Sequence, residues 1–330
     1  MRPIVLVAGL SVVSAPLYWR LPRAVQPVFL LAVSGGLLLW LSPISCACLC
    51  ASGLCSLGLS AGAGLVGLVG TLLGLKAAGT VPMGASYYLL RQIHLAAERL
   101  KGTLARPKAL ELASYLFFFP ILLVGPIMRF SEFKRSWQRQ RWDWADFSGG
   151  LERILVGLFR IVVVAEFLIT YKLGNLLCQG GMRGTWAAWY LSTVLFPIQA
   201  YLQLAGYSDV AIGAARLFGF EVPENFENPF GSRNYAQFWR RYHITLSNWC
   251  RDYVYLPLAA ATRMPGVATL VGMLVLAAWH ELSAAFLAWG CLQALGVLLA
   301  QRCPVGLPAW LGRLLTFHYF ALTCLWIHPA

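Results

Sequence analysis

The stretch VATLVGMLVLAAWHELSAAFLAWGCLQALGVLLA fills residues 267–300 and decides the class of fold. Its one formally charged residue, Glu281, follows His280 between two apolar runs, 267–279 and 282–300. A helix that crosses a membrane needs about 20 apolar residues. The two runs are therefore predicted to be neighbouring membrane helices, and the chain is predicted to be an all-α integral membrane protein.

Similar apolar segments recur along the chain. Of its 330 residues, 59% are hydrophobic and only 12% are charged, whereas soluble domains carry about 25% charged residues. A soluble core could not hide this excess, because cores stop growing at about 250–300 residues. The other nearly uncharged segments are 4–19, 24–41, 44–75, 113–128, 186–204 and 314–327. A single polytopic membrane domain over residues 1–330 is predicted, in which 44–75 is long enough for two short passes.

The N-terminal segment has the outline of a cleaved signal, since Arg2 precedes an apolar run. No small-residue cleavage site follows, and Arg20 and Arg23 close the run as the flanks of a membrane helix would. A retained first helix is expected.

Segment 113–128 is predicted to be broken. It contains Pro120, Gly125 and Pro126, and basic connections flank it at 91–108 and 129–141. Positive loops favour the cytoplasm, so a plain span should not have such loops at both ends. Non-helical backbone at membrane depth is tolerated only where protein or a water-filled cavity surrounds it. Residues 117–128 are therefore expected to be bent or re-entrant, with both connections cytoplasmic.

Three local patterns predict further helices. Residues 151–171 form an amphipathic pattern typical of a helix at the interface. Residues 235–249 mix aromatic and basic residues, which predicts a helix that lies along the membrane surface or dips inward. GYSD at 206–209 resembles a helix start, with Ser208 or Asp209 as N-cap. The predicted apolar stripe of 151–171 comprises Ile154, Leu155, Leu158, Ile161, Val162, Ala165, Leu168 and Ile169.

The net charge of +13 favours contact with lipid headgroups, because no nucleic-acid motif accompanies it. Four of the nine cysteines cluster in an apolar stretch without a zinc-type spacing. They are expected to pack as small hydrophobic residues, and no metal site is predicted. These cysteines are Cys46, Cys48, Cys50 and Cys55.

Two of the five histidines are candidates for chemistry. An ionisable pair such as His280 and Glu281 between apolar runs marks a functional site, and burial would keep the His280 imidazole neutral and able to accept a proton. The plainer alternative is a short surface loop between two helices. His243 follows Arg240 and Arg241, which suit a phosphate-bearing donor, although composition alone favours an interfacial helix that binds lipid phosphates. The remaining His94, His318 and His328 are expected to be packing, interfacial or solvated residues.

Five stretches resemble the membrane-bound O-acyltransferase (MBOAT) family, in its bacterial alginate O-acetyltransferase-like branch. They occur in the family's order between about 81 and 300. They are GASYYLLRQIHLAAERLKG (84–102), YLFFFPILLVGPIMRFSEF (115–133), AGYSDVAIGAARLFGFEVPENFENPF (205–230), FWRRYHITLSNWCRDYVYLPL (238–258) and WHELSAAFLAWG (279–290).

The resemblance implies roles for particular residues. His280 after Trp279 matches the family's catalytic histidine at the bottom of a tunnel, and His243 matches its second histidine on the cytoplasmic side. The implied fold is a ring of helices around a thinned centre. Further motif positions, which could bind substrate, are matched by Asp209, Arg240, Arg241, Asn248, Arg251 and Asp252.

Three departures from the family pattern stand out. Glu281 replaces the usual glycine after the catalytic histidine, and Ala259-Ala260 replace a glycine pair. The chain also stops at Ala330, where alginate-type members continue through further helices, so both a compact active form and a truncated one remain open.

The resemblance implies an O-acyltransferase of the bacterial inner membrane. It would move an acyl group, with acetyl favoured, from acetyl-CoA or another thioester, such as an acyl carrier protein, and no tightly bound cofactor is expected. An exported polysaccharide would be the acceptor, together with an extracytoplasmic acetyltransferase-like partner protein.

D-alanyl transfer to a teichoic-acid-type acceptor is the alternative within the family. A transporter or proton pathway through His280, Glu281 and Asp209 and a non-catalytic scaffold are alternatives of other classes.

Overall fold

A computed structural model describes residues 2–178, 182–302 and 306–327, and within these ranges every regular element is a helix. The prediction of an all-α fold is confirmed. The α-helices are α1 (Arg2–Arg20), α2 (Gln26–Leu41), α3 (Pro43–Gly58), α4 (Ala61–Ala77), α5 (Ala85–Leu100), α6 (Ala109–Leu116), α7 (Phe130–Arg139), α8 (Trp144–Leu158), α9 (Gly174–Cys178), α10 (Trp186–Leu217), α11 (Tyr235–Arg241), α12 (Ile244–Cys250), α13 (Leu256–Thr262), α14 (Pro265–His280), α15 (Ala284–Arg302) and α16 (Ala309–Thr323).

Three helical stretches of the described chain are long and apolar enough to cross a membrane: Pro3–Arg20, Trp144–Cys178 and Ala284–Arg302. Four shorter apolar helices, α2, α3, α4 and α14, accompany them. Two helices, α3 and α4, divide 44–75, which agrees with the length predicted for two short passes, and their crossing of a membrane stays a prediction. Ser60 marks the division, because its hydroxyl accepts a hydrogen bond from the Ala63 N–H and so caps α4. The α3 cysteines are free thiols.

The chain forms two compact units, each made of separate stretches of sequence. The first unit contains the described residues up to Gly157 together with Tyr207–Pro223, and the second contains Leu158–Gly206 together with the described residues from Glu224 onward. The single membrane domain stays a prediction.

In the first unit, α5 is the buried centre. The Arg91 side chain is 1% exposed, donates a hydrogen bond to the Tyr115 carbonyl and lies over the Tyr115 ring, 4.2 Å from its centroid. The Tyr115 hydroxyl donates in turn to the Met128 carbonyl at 2.8 Å. Between these two residues the chain has only a short 3₁₀ turn, Phe119–Ile121. The predicted break in 113–128 is therefore confirmed, and its non-helical backbone lies among buried side chains, whereas its sidedness stays a prediction.

Helix α10 is longer than predicted and corrects the N-cap assignment. Ser208 and Asp209 lie in its interior and not at a helix start. The GYSD pattern was misleading because the Asp209 carboxylate does not cap a helix. It accepts a hydrogen bond from Arg153 Nε at 3.1 Å, a contact between residues far apart in the sequence. Close to this pair, Gly213 of α10 meets Gly150 of α8 so closely that a Cβ on Gly213 would lie 2.6 Å from the Gly150 carbonyl oxygen.

The amphipathic stripe predicted for 151–171 is only partly correct. Of its members, Ile154, Ile161 and Ala165 are buried, whereas Leu155, Val162 and Leu168 are exposed. For Val162 and Leu168 the reason is the winding of the helix: Phe159–Leu173 forms a π-helix, and its i→i+5 bonds displace side chains from the α-helical positions. The whole stretch from Trp144 to Cys178 is also apolar enough to span a membrane, not only to lie at its interface.

We expect the variant Gly213→Ala to lower the stability of the protein by about 1–3 kcal/mol, because the added methyl group would meet backbone atoms that have no room to move. The melting temperature of the purified protein in detergent measures this change. Gly36→Ala is the matched control, since its Cβ would meet nothing within 4 Å. A Gly213 variant as stable as the Gly36 variant would contradict the close crossing.

Candidate functional site

The hairpin of α14 and α15 carries His280. Gly290 lets the two helices pack closely, since a Cβ there would lie 2.8 Å from the Ala277 Cβ. Helix α14 ends at His280, where the chain turns extended at Glu281. Ser283 then starts α15, because its carbonyl accepts from the Leu287 N–H at 3.0 Å. The pair His280 and Glu281 thus lies at a short connection, as the plainer alternative held, but the two side chains differ: Glu281 is exposed and His280 is half-buried.

His243 lies at an elbow between α11 and α12, so the prediction of one continuous helix over 235–249 is wrong. Helix α11 ends at Arg241, Tyr242 is extended, and His243 has the left-handed backbone angles φ 49° and ψ 49°. Such angles are unfavourable for a residue other than glycine and persist only where the surroundings impose them. The elbow itself is therefore a sign of a constrained site.

Asn225 imposes this elbow. Its backbone carbonyl accepts from the Ile244 N–H at 2.8 Å, and its side-chain Oδ1 accepts from both the N–H and the hydroxyl of Thr245, at 3.2 and 2.8 Å. Two residues further on, the Glu227 N–H donates to the Arg241 carbonyl at 3.0 Å. The loop 224–228 thus binds the chain on both sides of His243 and satisfies the N–H groups at the start of α12.

These two supports bring the candidate histidines together within the second unit. The ring centroids of His243 and His280 are 6.5 Å apart at 77°, and Trp279 lies 5.7 Å from His243. Phe286 stacks on His280 at 6.0 Å and 20°, and Trp289 meets it edge-on at 6.0 Å. We call His243, Trp279, His280, Phe286 and Trp289 the aromatic box. Its rings bury His243, which is 3% exposed, and leave His280 half-buried.

His243 is neutral in this box. The residue is 3% exposed and lies outside the candidate spans. Burial, with a smaller contribution from His280, lowers the pKa of His243 from 6.5 to about 3. Its Nδ1 has no hydrogen-bond partner among the residues that the structure describes. A neutral imidazole with a free ring nitrogen can donate or accept a hydrogen bond, according to its tautomer.

The other predicted motif residues fall into two groups. Arg240 is exposed and Arg241 and Asn248 are half-buried on the elbow helices, while Arg251 pairs with Asp252 at 2.7 Å just after α12. All of these belong to the second unit. Asp209 belongs to the first unit, where it pairs with Arg153.

Comparison with protein families decides the class of this chain. Residues 26–304 match the model of MBOAT, the membrane-bound O-acyltransferase family. The chain belongs to this family. The prediction made from the five motif stretches is confirmed, and this MBOAT is a multi-pass membrane protein.

Curated relatives of this MBOAT include acyltransferases of different kinds. It is 32% identical to the probable alginate O-acetylase AlgI of Pseudomonas syringae pv. tomato, over 69% of this chain and 44% of that relative. It is 27% identical to a peptidoglycan O-acetyltransferase of Helicobacter pylori, over 64% of this chain and 42% of the relative. It is also 27% identical to a teichoic acid D-alanyltransferase of Streptococcus thermophilus, over 70% of this chain and 58% of that relative. The chain spans about half the length of these relatives.

The remaining histidines of the MBOAT behave as packing or surface residues. His94 is 3% exposed, and its Nε2 accepts a hydrogen bond from the Phe130 N–H at 3.2 Å. His318 pairs with the Tyr190 hydroxyl at 2.8 Å. His328 lies outside the described residues.

Sequence reasoning missed the residues that hold and surround the histidines. Asn225 lies in the motif ENFENPF, and its type was a usable signal, because asparagine side chains readily bond backbone groups at turns. Phe286 and Trp289 follow His280 by six and nine residues on α15. Their roles depend on the hairpin and had no signal in the sequence.

We expect Asn225→Ala to destabilise the elbow, because Thr245 would lose the acceptor of two hydrogen bonds. The cost should be about 2 kcal/mol, measured as a fall in the melting temperature in detergent. Asn234→Ala is a matched control, since Asn234 caps the neighbouring α11 through one exposed bond to the Gln237 N–H. Equal losses in the two variants would contradict a special role for Asn225.

We expect His94 to make the protein acid-sensitive. Burial, followed by the positive charge of Arg129, lowers the pKa of His94 to about 4, and α5 is not a candidate span. Between the unfolded value near 6.5 and this value the unfolded chain binds more protons, so stability falls as the pH falls. His94→Gln should reduce the loss of stability between pH 7 and pH 5 by about 2 kcal/mol. Thermal unfolding at the two pH values measures it, and an unchanged loss would overturn the assignment.

Proposed function

We propose that this MBOAT is an O-acyltransferase in which His280 is the general base. The observation that carries the proposal is the aromatic box, in which His280 lies at the end of α14 beside the buried, neutral His243. A general base must lie within reach of the hydroxyl that it deprotonates. The ring centroids of His280 and His243 are 6.5 Å apart, so a hydroxyl bound beside His280 would also lie near His243.

The proposed reaction is a direct transfer. A ring nitrogen of His280 takes the proton of the acceptor hydroxyl as the oxygen attacks the thioester carbonyl carbon. A carbon–oxygen bond forms, the carbon–sulfur bond breaks, and the imidazolium returns the proton to the leaving thiolate. The rings that bury His243 also cover one side of His280, and the less water reaches the thioester, the less of it is hydrolysed. His243 remains neutral and hydrogen-bonds to the reacting group through its free Nδ1.

The donor is proposed to be an acyl thioester that arrives from the cytoplasm, with acetyl-CoA favoured and an acyl carrier protein as the other form. Arg240 and Arg241 end α11 beside the elbow. Guanidinium groups bind phosphate through paired charged hydrogen bonds, and both donors carry phosphate. The two arginines would therefore hold the donor while its thioester enters the aromatic box.

The acceptor is proposed to be the hydroxyl of an exported polysaccharide, reached through an extracytoplasmic acetyltransferase-like partner. The support is the likeness to the probable alginate O-acetylase and to the peptidoglycan O-acetyltransferase. The site would then lie in the inner membrane of a bacterium. D-alanyl transfer is the second candidate, because the teichoic acid D-alanyltransferase aligns over 70% of this chain.

We expect His280→Ala to lower acyl transfer by about 10²–10⁴-fold, the contribution of a general base, while the protein stays in the membrane. Acylation of cell-surface glycans, followed by mass spectrometry in cells with the wild-type or the variant gene, measures the loss. The mass of the added group also tells acetyl from D-alanyl transfer.

Glu281→Gln is the matched control, because Glu281 is adjacent in sequence but exposed at the connection. It should keep most of the activity. Full acylation by the His280 variant would refute the proposed base, and equal loss in both variants would show that the connection, not the imidazole, is what matters.

A further inference from the structure

The hairpin of α14 and α15 has an apolar groove at the end away from the aromatic box. The groove has a volume of about 530 Å³ and lies between the first turns of α14 and the second half of α15. This volume is in the range of sites that bind small amphiphilic molecules. Its lining consists of Met264, Pro265, Gly266, Val267, Leu270, Cys291, Ala294, Leu295, Leu298 and Arg302.

The groove has one charged side chain, Arg302, and it stands at the rim. An Nη atom of Arg302 lies 3.3 Å from the position that a Cβ on Gly266 would occupy, so the guanidinium rests on the first turn of α14. Within the described residues no carboxylate forms an ion pair with Arg302. The sequence explains this, because Glu281 is the only acidic residue after Asp252 and it lies at the opposite end of α14.

Further positive charge surrounds the rim. Arg263, one residue before the groove lining begins, is exposed. The partial positive charge at the start of α14 adds to it. The surroundings of Arg302 thus attract an anion, whereas the walls below it are apolar.

The depth of the rim suits a phospholipid. Helix α15 is a candidate span of 19 residues that ends at Arg302. At 1.5 Å per residue it is about 28 Å long, close to the thickness of the hydrocarbon core. A helix of this length that crosses the membrane would place Arg302 at the depth of the headgroup phosphates, with the groove running from it along the acyl-chain region. His280 is about 22 Å away along α14, so the groove is separate from the aromatic box.

We propose that this groove binds one anionic phospholipid, with an acyl chain along the apolar walls and the phosphate on Arg302. The apolar groove of about 530 Å³ suits the acyl chain, and the guanidinium of Arg302, which has no carboxylate partner within the described residues, suits the phosphate. This proposal does not depend on acyl transfer, and its test needs no measurement of activity.

Cys291 is a natural reporter for the groove. It is a free, exposed thiol in the lining, and Cys178 is a free, exposed thiol of the same unit outside it. The protein is reconstituted in nanodiscs of phosphatidylcholine, with or without a minor fraction of phosphatidylglycerol. Peptide mapping then measures the rate at which N-ethylmaleimide alkylates each cysteine. Phosphatidylglycerol should slow Cys291 about fourfold, as expected when three quarters of the grooves are filled, and leave Cys178 unchanged.

Arg302→Gln should remove this protection, because the apolar walls alone do not distinguish the two headgroups. Arg313→Gln, which removes another exposed arginine of the same unit outside the groove, should retain it. Equal alkylation of Cys291 in both lipids would overturn the proposal. So would protection that persists in the Arg302 variant, since the groove would then be ordinary lipid-facing surface.

Discussion

The amide oxygen of Asn225 accepts both the backbone N–H and the hydroxyl of Thr245, and these bonds set the path of the chain at His243. Together with the backbone bonds from Ile244 to Asn225 and from Glu227 to Arg241, they compensate the left-handed backbone of His243. The cost of the unusual backbone angles is about 1–3 kcal/mol. Hydrogen bonds of a buried asparagine are sufficient to balance a cost of that size.

The second support of the site is small-residue packing. Gly290 allows α15 to approach Ala277 of α14, one turn before His280. The approach brings Phe286 and Trp289 against the imidazole. His280 is thus held by ring contacts and His243 by backbone hydrogen bonds, so different kinds of interaction position the two members of one site.

Features that depend on composition were predictable from the sequence. Long uncharged runs gave helices α1, α2, α14 and α15 within a few residues, and the prolines and glycine of 113–128 marked a true break. The motif stretches identified the family. What failed depended on contacts between distant residues: Arg153 satisfies Asp209 inside α10, and Asn225 divides 235–249 at His243. A local pattern cannot show a partner that lies 20 or more residues away.

The winding of Phe159–Leu173 has a consequence for comparing members of the family. A π-helix has more residues in each turn than an α-helix. Residues beyond such a stretch therefore point in a different direction around the helix axis than they would in a continuous α-helix, although the two helices can begin and end at the same residues. A relative that is α-helical here could align without a gap and still present different side chains to the same neighbour. Equivalent positions on the two sides of this stretch are therefore better assigned by direction around the helix axis than by counting residues.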